Sequence, residues 1–223
     1  MPFMDSFVQK RLKYRFWSKW KMIWTLKKMI KLLEKRLERD EKFLIGNKYD
    51  NSGKDERLVN FMGFIDLGFM DICHLSIMFL KESDEWRRKY FARYAITLMY
   101  ELTEDITQFL GNDKDTTGRE YGIRPIVRSM NDEMLTKEMN KICDMWNRFR
   151  SEIDVNGRNF SNVRNVAFAH RDHEFLKQYQ LIQKTNWGDA FSDISIFHIK
   201  FLILAGFLDQ LISKYVTNGN SIS

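Results

Sequence analysis

Ile23-Trp24-Thr25-Leu26-Lys27-Lys28-Met29-Ile30-Lys31-Leu32-Leu33-Glu34-Lys35-Arg36-Leu37 sets Ile23, Leu26, Ile30, Leu33 and Leu37 at alternating steps of three and four. This is the period of one helix face, not the every-other-residue alternation of a half-buried strand. Leu12 and Phe16 extend the stripe backward, with Lys19 as the one interruption, so it runs for about seven turns and needs a partner helix. A first helix from about Asp5 to Leu44 is therefore predicted.

The rest of the chain repeats the theme. Gly46 to Gly53 is a loop by its turn residues, and a second helix follows from about Asp55 to Lys81. Ser83 or Asp84 caps a third helix that reaches Leu110, and residues 111 to 123 form a longer loop. A fourth helix starts at Pro125, is re-capped at Asn131 and ends near Ile153. After a break at Asp154 to Gly157, Ser161 caps a short helix; after a second break at Lys184 to Gly188, an apolar helix runs from about Asp189 to Val216. The expected fold is all-α: a single domain over residues 1–223, a bundle of four or five long helices plus one short one, with 1–46 a long basic helix packed on it.

Composition agrees and narrows function. Apolar residues make up 44% and charged residues 30%, with eleven glycines and two prolines, too few breakers for an all-β chain. Cys73 and Cys143 are too few for a disulfide framework and lack zinc spacing, so a reducing cytoplasm is the expected compartment. The N-terminus lacks a leader-like apolar region, and the longest uncharged apolar run, Phe201 to Leu208, is too short to span a bilayer, so no transmembrane segment is expected.

Net charge is +6, but residues 1–46 carry thirteen Lys and Arg against five Asp and Glu, a net +8 that leaves the remainder at −2. A basic element of this kind suits an anionic partner, RNA or a membrane surface. Trp17 and Trp24 flank the stripe among Lys28, Lys31 and Lys35, where indoles can stack on bases or sit at a lipid interface. The simpler expectation is that these rings form a core rim with lysine stems packed alongside.

Other chemistries find no footing in the sequence. It has no phosphate-binding glycine loop, no Gly-x-Ser-x-Gly elbow and no His-Glu-x-x-His. Asp71 and His74 alone are not a metal site, and His198 is expected to be a hydrogen-bonded core histidine. On one helix Asp172 lies about 160° and His173 about 60° from His170, so that cluster does not converge on a metal. Neither a metal nor a cofactor is expected.

What remains is Arg164-Asn165-Val166-Ala167-Phe168-Ala169-His170-Arg171-Asp172. The spacing of Arg164 and His170 is common by itself, since sixteen arginines and four histidines supply such a pair about once by chance. Asn165 directly after the arginine, Ala169 before the histidine, and the late position in a helical chain add to it.

With these residues the chain resembles the HEPN superfamily (higher eukaryotes and prokaryotes nucleotide-binding), whose signature is an arginine, often a following polar residue, then a histidine four to six positions on. The Arg-Asn…Ala-His-Arg-Asp wording resembles the abortive-infection branch. The resemblance implies a metal-independent endoribonuclease, a toxin or phage-defence effector, that works as a homodimer with the motif helices facing across a two-fold axis. It assigns Arg164, Asn165 and His170 to catalysis, with Arg171, Lys28, Lys31 and Lys35 as candidate phosphate contacts and an antitoxin or regulatory protein as a possible partner. On one ideal helix Arg164 and His170 lie about 120° apart, which suits a two-chain site better than a one-chain site. Many toxins paired with a nucleotidyltransferase carry a tyrosine two residues after the histidine; here that position is Asp172, so silencing by that route is not implied. The alternative is a non-catalytic helical module that binds RNA, a partner protein or a membrane surface through the stripe and Trp17, Trp20 and Trp24.

Overall fold

The computed structural model describes residues 3–46, 54–111, 122–155 and 187–217, with side chains of the first helix described from Ser18 onward. Among the described residues there are six helices and no strand: α1 Phe3–Gly46, α2 Lys54–Lys81, α3 Glu85–Gly111, α4 Arg124–Ser129, α5 Glu133–Val155 and α6 Trp187–Thr217. The expected short helix after Ser161 lies outside the described residues.

The α1 stripe does what its spacing demands. Ile23, Leu26, Ile30 and Leu33 are all buried, chiefly against α2, each stabilising the packed state by about 1.5–3 kcal/mol relative to exposure. Leu37 is only half-buried, and Asp40, one step further along the same face, is buried instead. α2 occupies the middle, packed on α1, α3 and α6. At Gly68 the Leu102 side chain of α3 fills the space beside the backbone, since a Cβ there would sit 2.7 Å from its methyls. One continuous core joins all six helices, and an aromatic group at its centre sets Phe69 stacked on Phe201 at 3.7 Å and Trp146 edge-on to Phe197 at 5.5 Å.

Local chemistry explains the boundaries. Asp84 is the N-cap of α3, its Oδ1 accepting from the Arg87 N–H at 2.9 Å. The α3 C-terminus is closed by Arg124 Nε and the Cys143 thiol, which both donate to the Leu110 carbonyl. Cys73 and Cys143 are both buried and unbridged, and burial pushes both thiols up.

The single fourth helix expected from Pro125 is two helices. Asn131 adopts a left-handed φ of 51° and turns the chain, and Asp132, not Asn131, caps α5, its Oδ1 accepting from the N–H groups of Met134 and Leu135. Lys214 of α6 reaches the other Asp132 oxygen at 2.7 Å, tying the last helix to this cap.

By length and composition alone, Glu56–Lys81 and Ser192–Lys214 are long and apolar enough to cross a membrane. Half of the first window and 44% of the second are buried inside the bundle.

Candidate functional site

At about 100° per residue, Trp24, Lys28, Lys31 and Lys35 fall within roughly 60° of one another and point about 150° away from the core stripe. They are exposed accordingly, Trp24 at 57% and neighbouring Trp20 at 54%. Trp24 is therefore not a core rim, contrary to the simpler expectation, and Trp20 is exposed beside it. The cause is the stripe itself: the core face of α1 is the one turned to α2, and the opposite face points away from it. The side chain of Trp17 lies outside those described.

Lys28 Nζ sits 4.0 Å from the centroid of the Trp24 ring, a cation–π contact that holds the indole outward beside its own charge. From Trp20 to Lys35 the face runs about 23 Å. It offers what an extended anionic polymer requires, flat rings for bases and ammonium groups for phosphates, on a rigid rod. Lys28, Lys31 and Lys35 are thus brought onto one surface.

A second cluster lies beneath, where α1, α2 and α6 meet. Asp66 of α2 is wholly buried, with Arg36 Nε 2.9 Å away from its Oδ2, an approach too bent to form a hydrogen bond. Arg36 and Arg39 also reach Asp209 of α6 at 3.5 and 3.6 Å, and Arg39 pairs with Asp40 at 3.0 Å. Burial pushes the Asp66 carboxyl up to about 7, against the pull of Arg36, and Asp40 and Asp209 push it further. Burial also raises Asp40, opposed by Arg39. The sequence signal for this cluster was an isolated aspartate within the apolar run of α2 and an aspartate where the α1 stripe should continue.

Because the native carboxyl of Asp66 holds its proton more tightly than the unfolded one, with its ordinary 3.8, its stabilising contribution is full below about pH 4 and is lost as pH rises through about 7. Denaturant titrations between pH 4.5 and 8 should show that Asp66→Asn removes a downward slope worth up to about 4 kcal/mol. An unchanged slope would mean that the raised carboxyl is not Asp66.

His198 is half-buried, its ring T-shaped against Phe69 at 5.0 Å, and its Nε2 lacks the hydrogen bond expected of a core histidine. Burial lowers it to about 4. His74 and Asp71 are exposed, and no group of potential metal ligands occurs among the described residues. Arg164, Asn165, His170 and Arg171 lie outside the described residues. Comparison with protein-family models, with curated proteins and with solved structures finds no match.

Proposed function

We propose that the chain is a metal-independent endoribonuclease of HEPN type, a toxin or phage-defence effector acting as a cytoplasmic homodimer. The observation that carries this is the sequence Arg164-Asn165-x4-His170 set between two helix breaks late in the chain. The all-helical bundle is compatible with it, and the exposed tryptophan and lysine face of α1 supports an RNA target.

In this chemistry the 2′-hydroxyl of one nucleotide attacks the adjacent phosphorus and the bond to the 5′-oxygen breaks. His170 takes the proton of the attacking hydroxyl, and the departing 5′-oxygen gains one, so the products are a 2′,3′-cyclic phosphate and a 5′-hydroxyl. An imidazole titrates near neutral pH and suits that work. Arg164 stabilises charge growing on the phosphoryl oxygens through its fork of donors, Asn165 orients His170 or the phosphate, and Arg171 is a second phosphate contact. Lys28, Lys31 and Lys35 hold the strand on either side of the cut.

The test is incubation of the full chain with single-stranded RNA in excess EDTA. Cleavage is expected; intact RNA at micromolar protein would overturn the proposal.

A second reading, a non-catalytic RNA-binding or protein-interaction module, is favoured by one observation: the described residues include an exposed face of Trp20 and Trp24 beside lysines. It differs by predicting binding without cutting. In both cases the double variant Trp20→Ala/Trp24→Ala should weaken RNA binding by about tenfold or more, since each base stack is worth about 1–3 kcal/mol. The melting temperature should hold, because both rings lie outside the core. A large drop in melting temperature would return the tryptophans to a structural role.

A further inference from the structure

A second stripe on α1 lies beside the core stripe and has the same period: Met22, Thr25, Met29, Leu32, Arg36 and Arg39. On α6, Ser195, Ile199, Leu202, Gly206 and Asp209 repeat at steps of four, three, four and three. α1 lies chiefly against α2, and α6 against α2, α3 and α5, so the two stripes face each other across an open channel. Its two hollows, of about 390 and 440 Å³, are neighbours that meet at Met29 and Leu202. Phe69, His198 and Phe201 line it from below. Its walls remain uncovered, Leu32 at 67%, Ile199 at 61% and Leu202 at 54% exposed.

We propose that this channel docks an amphipathic helix of a partner protein, apolar along one stripe and acidic on the flank that meets α1. Three observations select that occupant. Two walls with heptad spacing offer holes that a third helix of the same period fills, and the channel from Met22 to Arg39 is about 26 Å long, the length of roughly 18 helical residues. A Cβ built on Gly206 would meet nothing within 4 Å, which leaves room for a backbone to approach closely. The third is charge: Lys21, Lys35, Arg36 and Arg39 line the channel against Asp209, so cations outnumber carboxylates and an acidic flank is the complement. Asp209 already bridges Arg36 and Arg39 at one end, leaving Lys21 and Lys35 for the visitor.

An acyl chain is a poorer match, because the trough is open along its length and not closed round a ligand. RNA is poorer still, because the floor is carbon. This docking site uses none of the motif residues: it lies beside the core stripe of α1 and shares only Lys35 with the proposed RNA face.

The test uses the full chain and a designed probe, a fluorescein-labelled helix of roughly 18 residues with leucine at heptad a and d positions and glutamate on one flank, beside a twin with lysine in place of glutamate. The glutamate probe should bind saturably with one site, and the lysine twin about tenfold or more weakly at low salt. Leu32→Asp and Leu202→Asp should each lower affinity for the glutamate probe by about tenfold or more, while helical content and melting temperature hold because both side chains are more than half exposed. The proposal is overturned if the glutamate probe does not bind, or if both probes and both variants behave alike. It is equally overturned if palmitate alone binds in a Leu202-dependent way, or if the chain sediments as a dimer that Leu202→Asp splits, which would make a second copy the occupant.

Discussion

His170→Ala is expected to lower the rate of RNA cleavage by about 10²–10⁴-fold, the range that a positioned general acid or base supplies. Arg164→Ala should cost about 10²–10³-fold, because it removes donors aimed at charge that develops only in the transition state. In the proposed mechanism the two side chains act as one chemical unit, so the double variant should be little worse than His170→Ala alone. Initial rates on a defined single-stranded RNA in EDTA measure all three. Circular dichroism must show unchanged helix content, so that loss of rate is not loss of fold. Full activity in either single variant would remove that residue from the site. Affinity for RNA separates this from the α1 surface: Trp20 and Trp24 variants should weaken binding, whereas His170→Ala should slow cutting with binding kept.

The second large effect is on stability. Arg36→Ala leaves Asp66 wholly buried without the guanidinium that lies 2.9 Å from it, and removing one partner of a buried ion pair costs about 3–5 kcal/mol. Asp66 is raised to about 7, so the penalty depends on pH. Above pH 7, where Asp66 beside Arg36 is ionised but the variant's carboxyl is held protonated, the loss should grow by up to about 1.4 kcal/mol per pH unit. Near pH 5, where a proton neutralises it, most of the loss should disappear. Denaturant midpoints at the two pH values read this directly, and equal losses at both would show that the arginine acts through packing alone. Replacing both partners, Arg36→Met with Asp66→Leu, should be close to neutral, since neither charge is then left behind.

The long helices were legible because each demand on them is local or periodic. Ile23, Leu26, Ile30 and Leu33 read as a buried face and are one, and Asp84 read as a candidate cap of α3 and caps it. What periodicity cannot show is how faces pair. The exposure of Trp24 depends on α2 covering only one side of α1, and the Arg36, Asp66 and Asp209 cluster exists only because three helices meet at that level. Asn131 and Asp132 are both good capping residues. Which one caps was decided by a left-handed turn at Asn131 and by Lys214, which comes from 82 residues away. His198 read as an ordinary core histidine, yet its ring stands T-shaped against Phe69 and its Nε2 meets no hydrogen-bonding group. The motif at Arg164 to His170 was legible as chemistry but not as geometry, since its proposed function depends on a second chain.

The central claim is the phosphoryl chemistry, and the ends of the RNA fragments test it most directly. Fragments produced by the full chain in excess EDTA should carry 2′,3′-cyclic phosphate and 5′-hydroxyl ends, and none should appear with His170→Ala. Fragments ending in 3′-hydroxyl and 5′-phosphate, or fragments that persist in His170→Ala, would contradict the account.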